Sequence, residues 1–342
     1  MRIGLALPQY DYSLTGESPL SWESVLTYAA TADASGFDSL WLSDHLFLDI
    51  GKYGGSPEPR AAFEPLVTLA ALARTYPRLR IGTLVLCEAL RPASVLAKAL
   101  VTLDRISNGR LDVGVGAGWY EPEYEAIGMT LPSPGERIAR IGEAVEVLRG
   151  MLDADADEQP VTVDGRFHRA VGATSRPPAV QRPRPPVFIG GKGDRLLRLV
   201  AERADGWNTC WAWTFDAYRE RLDVLERECG RIHRDPATIW RSLGLYALCG
   251  EDERDLARRF ARLRHQNPGV LDDTTLDEWR VGRLVGTVDE VRELAAGWGE
   301  LGVETLILGV GAVPFAASGT DDVALLAHAL QPLRSGVAPR PV

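Results

Sequence analysis

The sequence predicts an α/β fold, a (β/α)8 TIM barrel with insertions in its βα loops, and three observations carry that prediction. Short apolar runs alternate with longer helical patterns about eight times along 342 residues. The runs read as apolar on both faces, as strands of a closed parallel sheet covered by helices do. The first run passes into Leu7-Pro8-Gln9 and lacks the G-x-G-x-x-G turn that marks an open doubly wound sheet.

Each element has a local reason. Ile3–Ala6 is the first strand. Trp22–Ser35 is a helix with Ser21 as its N-cap and Glu23 in its first turn, where an acid suits the positive end of the helix dipole. Ser39–Leu42 is the second strand, 62–75 a helix stopped near Pro77, and Arg80–Leu86 the third strand. The next helix, 92–107, has Pro92 in its first turn and Asn108-Gly109 at its close. Leu111–Val115 is the fourth strand, followed by a glycine-rich turn and a long amphipathic helix, 134–152. Val187–Ile189 is the fifth strand, with a helix over 194–204 after it. Gly206–Thr209 and the helix 213–228 follow, then the strand Ile239–Leu248. The helix 288–301, the strand Glu304–Leu308 and a helix over 321–333 complete the series.

One domain is expected over 1–335, with insertions at about 155–186 and 251–286 and a tail at 336–342. The first insertion holds a hairpin, Val161 to His168, turning at Asp164-Gly165, and then a proline-rich connector. Both insertions are expected to cover the active-site face as a substrate lid.

Composition narrows the function classes. Hydrophobic residues make up 45% and charged residues 25%, the balance of an ordinary globular protein. The net charge of −9, with no Lys/Arg run, argues against a nucleic-acid or anionic-membrane partner. The start is too short and too interrupted for a signal peptide, and no uncharged run reaches the roughly 18 residues of a membrane span. Cys87, Cys210, Cys229 and Cys249 form no C-x-x-C pair. They are expected to be reduced thiols in a cytoplasmic protein, the last three serving packing.

Barrel enzymes place their sites at the C-terminal ends of the strands, which turns the sequence into a map. After the second strand stand Ser43, Asp44 and His45. An imidazole at that place can exchange a proton near neutral pH, while Asp44 fits either a site role or a helix N-cap. "VGVGAGW" (113–119) and "FIGGKGD" (188–194) are glycine turns of the kind that binds phosphate. The second is the better cradle, because it opens a helix and carries Lys192. Trp119, Tyr120, Trp207, Trp211 and Trp213 near one rim suit a flat apolar cleft for a planar ring. Metal ligation has no H-x-H or H-E-x-x-H pattern behind it, so no metal is expected, and a serine hydrolase has no G-x-S-x-G elbow.

The chain resembles the luciferase-like flavin and deazaflavin oxidoreductases, most closely the actinobacterial branch that uses coenzyme F420. The stretches carrying the likeness are "GFDSLWLSDHL", "RIGTLVL", "RPASVLAKALVTLDRISNGRLDVGVGAGWYEPEYEAIG", "GERIARIGEAVEVLRGML" and "PPVFIGGKGDRLLRLVAERADGWN". The resemblance implies a homodimer and a ring bound at the C-terminal face, with its phosphate at Gly190, Gly191, Lys192 and Gly193. It implies a non-proline cis peptide at Leu84–Val85 under the ring, with Leu86, Gly116 and Trp119 also in the cofactor site. Asp44 and His45 are implied to meet the ring edge and the substrate, with His45 as proton donor or charge stabiliser. One position departs from the pattern: Trp119 stands where the sugar-phosphate dehydrogenase branch carries a catalytic glutamate, which counts against a sugar phosphate substrate. Glu121 and Glu123 lie close by, out of the matching place.

The sequence is thus read as an F420-dependent oxidoreductase passing hydride between the deazaflavin and a small organic substrate. An FMN-dependent monooxygenase using oxygen is the first alternative, and a non-catalytic flavin- or F420-binding protein the second.

Overall fold

The computed structural model describes residues 1–153, 155 and 158–334, so the expected tail at 336–342 lies outside the described residues. Eight parallel strands form the central sheet: β1 Arg2–Ala6, β2 Ser39–Leu42, β3 Arg80–Thr83, β4 Leu111–Gly116, β5 Val187–Gly190, β6 Gly206–Trp211, β7 Trp240–Gly250 and β8 Thr305–Gly309. Each strand pairs with the next, β7 with β8 and β8 with β1, and the β4–β5 ladder completes a closed barrel. The intervening helices are α1 Trp22–Ser35, α2 Pro65–Thr75, α3 Ala93–Ser107, α4 Pro134–Leu152, α5 Asp194–Arg203, α6 Phe215–Arg231, α7 Val288–Glu300 and α8 Thr320–Leu330. Ser21 caps α1 by accepting from the Ser24 amide, and Asn108 closes α3 in the left-handed conformation.

The strands are not alike on their two faces. Leu5, Leu40, Ile81, Leu111, Val113 and Ile189 point outward into the main apolar core beneath the helices. The alternate positions carry glycines, aromatics and charges, and they meet side chains of non-adjacent strands across the barrel. Trp41 fits between β1 and β3 because Gly4 and Gly82 have no side chain; a Cβ on either would collide with the indole. An eight-stranded barrel has room only to be filled, so large side chains alternate with none.

One end of that interior is ionic. Arg80 donates to Asp112 Oδ1 at 2.6 Å and Oδ2 at 3.0 Å, and Arg2 reaches Asp112 Oδ2 at 3.3 Å and lies 3.8 Å over the Trp240 ring. Burial alone would raise the Asp112 carboxyl; the Arg80 and Arg2 guanidiniums overcome it and hold it below the usual carboxylate range.

The two insertions occupy different ends of the fold. The segment near 155–186 lies between α4 and β5, so it is an αβ connection and not a βα loop as the sequence reading had it. Its hairpin, Val161–Asp164 with Arg169–Ala173, packs along α4, and only its turn reaches the rim, where His168 Nε2 lies 2.5 Å from Glu88 Oε1. Periodicity cannot show this, because a connection is assigned to an end of the barrel only by counting helices correctly around it. The second insertion does follow β7. It folds into helices Glu253–Gln266 and Leu276–Arg280 and a strand, Leu284–Thr287, that extends the β7 ladder. A third rim segment went unnoticed: between β2 and α2, Phe47–Leu48 pairs with Arg60–Ala61.

Asp112→Asn leaves two buried guanidiniums without their carboxylate and is expected to cost about 3–5 kcal/mol in urea unfolding at pH 7. Because the folded-state pKa is depressed, the stabilisation by Asp112 is complete above the unfolded value of about 3.9. It is lost as pH falls through the lower folded value. The variant is therefore expected to show a shallower acid limb in its stability–pH profile.

Candidate active site

Seven of the eight strand ends surround a cleft of about 540 Å³. Ser43, Asp44 and His45 contribute from β2, Leu84 to Cys87 from β3, and Gly116, Gly118 and Trp119 from β4. Gly190, Gly191 and Lys192 come from β5 and Asn208 to Trp211 from β6, while Tyr10, Pro314 and Phe315 follow β1 and β8. The end of β7 does not reach it: Tyr246 and Leu248 belong to a separate apolar cluster with the second insertion.

Each of the three polar residues after β2 is fixed by a different strand end. The Gln9 side chain grips Ser43 from β1, accepting from its amide at 2.8 Å and donating to its carbonyl at 2.8 Å, and Tyr10 hydrogen-bonds its hydroxyl. Asp44 turns toward β3. Its Oδ2 accepts from the Cys87 amide at 2.9 Å, and Arg91 grips both oxygens, at 2.7 and 3.0 Å. Burial raises the Asp44 carboxyl, and Arg91 and the Cys87 amide oppose that rise. Arg91 also reaches Glu64 Oε1 at 2.5 Å, and Glu64 caps α2 at the Val67 amide. The N-cap alternative for Asp44 therefore falls away: the cap of the next helix is Glu64.

His45 turns toward β4. Its Nδ1 lies 3.1 Å from Glu123 Oε2, and the ring stands edge-on to Trp119 and Tyr120. Glu123 is 1% exposed, and its other oxygen accepts from the Leu46 amide at 2.5 Å. Among the described residues nothing hydrogen-bonds His45 Nε2. Glu123 is the site residue that sequence reasoning passed over. The family pattern drew attention to position 119, whereas the short helix Glu121–Ala126 turns the side chain four residues later back onto His45. An acid at that spacing from a glycine turn was the only available signal.

The cofactor-site expectations divide. Leu84, Val85, Leu86, Gly116, Trp119, Gly190, Gly191 and Lys192 all line the cleft; Gly193 stands just outside it as the N-cap of α5. Leu84–Val85 is cis, as the resemblance implied, and Cys210–Trp211 is cis as well, which nothing in the sequence indicated. The Val85 side chain explains much of the glycine content: a Cβ on Gly116 would lie 2.6 Å from its Cγ2, and one on Gly190 2.9 Å from its Cγ1. Gly114 and Gly116 are thus required by packing, so the first glycine turn loses most of its standing as a phosphate cradle. The second keeps it, because the opening amides of α5 have no partners within their own helix.

The aromatic rim is smaller than expected. Trp119 and Trp211 line the cleft, but Trp207 is fully buried against Tyr218 and donates to the Gly191 carbonyl, and Trp213 packs in the core. Cys210, expected as a packing residue, is exposed on the cleft wall; Cys229 and Cys249 are buried. Among the described residues no group of three or more His, Cys, Asp or Glu is placed to hold a metal ion, and no helix is long and apolar enough to cross a membrane.

A closed parallel barrel with this arrangement of strand ends has counterparts among known proteins. A family model described as luciferase-like monooxygenase matches residues 1–305. The chain belongs to that family. Among curated luciferase-like relatives, it is 34% identical over 187 residues to an F420-dependent glucose-6-phosphate dehydrogenase of Beutenbergia cavernae, covering 54% of this chain and 51% of that protein. It is 30% identical over 241 residues to a 5,10-methylenetetrahydromethanopterin reductase of Archaeoglobus fulgidus, covering 69% and 63%. The chain thus spans less than two thirds of the length of each. Among solved structures, monooxygenase RslO1 from Streptomyces bottropensis matches with a TM-score of 0.75 and 25% identity, over 98% of this chain and all of that one.

Arg91→Ala strands a buried Asp44 and cuts the tie to Glu64. A loss of about 3–5 kcal/mol is expected in chemical denaturation. Arg91→Lys is expected to recover only part of it, since an ammonium cannot span both carboxylates in the forked geometry.

Proposed function

We propose that the chain is a coenzyme-F420-dependent oxidoreductase acting on a small organic molecule, with His45 as the residue that gives or takes the proton. The observation that carries this reading is the His45–Glu123 pair. Nδ1 is engaged by a buried carboxylate, which fixes the ring and leaves Nε2 as the atom that faces the reaction space. Leu84 and Val85 line the cleft. The opening turn of α5 supplies unpaired amides and Lys192 for a phosphate, and Arg221 draws the Asp194 carboxylate aside at 2.8 Å. A planar ring with a phosphate-bearing tail fits these residues.

When bound, a deazaflavin supplies the carbon that donates or accepts hydride; the rest is the work of this chain. The strand ends orient the reactants, and the rim segments exclude water. His45 holds a proton at Nε2, and Glu123 stabilises the imidazolium whenever that proton is held. Asp44 is a positioning residue here, because its oxygens are taken up by Arg91 and Cys87. The relatives named for F420 support the cofactor choice. The likeness to a monooxygenase supports a second reading, in which reduced FMN and oxygen are used in the same cleft. The homodimer implied by the family resemblance and the cytoplasmic setting read from the unpaired cysteines belong to the proposal.

Fluorescence titration with F420 and with FMN tests the cofactor: saturable F420 binding is expected, and FMN binding alone overturns the choice. His45→Ala is expected to leave cofactor affinity within a few-fold and to lower turnover by about 10²–10⁴-fold. Unchanged turnover would return the histidine to a packing role and favour a binding protein without catalysis.

A further inference from the structure

Of 38 basic residues only three are lysines, Lys52, Lys98 and Lys192, and two of them line the cleft. Lys192 sits at the opening turn of α5, where the proposed phosphate site accounts for it. Lys52 has no such explanation. It comes from the rim segment between β2 and α2, and its Nζ lies 3.3 Å from the centre of the Trp119 ring and 4.9 Å from that of Tyr53. Among the described residues it makes no hydrogen bond and has no carboxylate within ion-pair distance.

The surrounding acids are spent. Asp44 is held by Arg91, and Glu123 by His45 and the Leu46 amide. Asp49, the acid that acts most on Lys52, accepts from the Tyr120 hydroxyl at 2.5 Å and the Gly51 amide at 2.8 Å. From β6, Cys210 opens onto the same cleft as the ammonium, and the protein atoms crowding that cleft push its thiol up to about 12, so it stays neutral. Tyr53 is raised by burial too. Lys192, His45, Tyr10 and Cys87 complete the titratable groups of the cleft wall, and none is a counter-ion; burial raises both Tyr10 and Cys87. A protein of net charge −9 therefore keeps, in this cleft, an exposed cation held against aromatic faces, with Asp49 beyond ion-pair distance. An ammonium held on an aromatic face at the wall of a cleft stays open to an entering anion, and the low-dielectric walls strengthen that attraction over its value in open water.

We propose that Lys52 recognises a carboxylate on the substrate, and that the substrate is a planar organic carboxylate seated against Trp119 and Tyr53. This rests on the reading of the cleft as a cofactor–substrate site and names the substrate class for it. The ammonium binds the anion and the indole face orients the ring beside it, and Trp119 brings no negative charge of its own to repel such a ligand. Lys52 keeps solvent access, yet the protein atoms crowding its ammonium lower it to about 8, so its protonated form is lost as pH rises through that value.

The test is calorimetric titration with benzoate and with its neutral isostere benzamide, on the protein saturated with whichever of F420 or FMN it binds and on the cofactor-free protein. Benzoate is expected to bind about tenfold more tightly than benzamide at pH 7, and the preference is expected to fade by pH 9.5. Lys52→Met should abolish the preference while keeping cofactor affinity and thermal stability, and Lys98→Met, at an exposed lysine on α3, should keep the preference. Equal affinity for the two probes, saturable heat from neither, or an unchanged preference in Lys52→Met overturns the proposal. So does loss of cofactor affinity in that variant, which would assign the ammonium to the cofactor. Failure of both cofactors to bind while the benzoate preference holds would count against the F420 and FMN readings alone.

Discussion

The buried pair between Asp44 and Arg91 is the constraint on which the rest of the site depends. It ties the end of β2 to the start of α3, and through the Cys87 amide to the bulge after β3; through Glu64 it also holds the start of α2. A carboxylate that is only 2% exposed stays ionised only where cationic and N–H donors surround it. Its position therefore fixes those partners, and they fix the chain on either side. His45 is the next residue along, so its ring inherits a backbone that has little freedom to move.

From that anchor the site is assembled by division of labour. Ser43 belongs to β1 through Gln9, Asp44 to β3, and His45 to β4 through Glu123. Parallel strands all end at the same face, so side chains at three successive positions can be held from three directions. The same geometry explains the contrast between the two cleft acids and the two cleft lysines. The acids are consumed in fixing the wall; Lys52 projects from a rim segment and Lys192 from the turn that opens α5.

The glycines show how packing and function share a residue. A G-x-G turn looks like a phosphate cradle in sequence, yet the Thr83 carbonyl and Val85 occupy the space a side chain at Gly114 would fill, and Val85 that at Gly116. In the proposed reading the second turn serves both purposes. Gly190 makes room for Val85, while Lys192 and the amides that follow face outward from the start of α5.

Read alone, the sequence determined the eight strand–helix units nearly to the residue, since hydrophobic periodicity and caps such as Ser21 and Asn108 are local properties of the chain. It also pointed to the candidate cleft, because the strand-end rule converts an apolar run followed by Ser43-Asp44-His45 into a place in space. Tertiary structure alone decided who meets whom. Glu123 joins His45 across 78 positions, and Arg91 joins Asp44 across 47. Lys52 reaches Trp119 from a rim hairpin with no periodic signal, and the 155–186 insertion proves to belong mainly to the helical exterior. Two-residue strands and single long-range pairs leave no repeat to detect, and the energy that selects them comes from burial, which exists only once the barrel has closed.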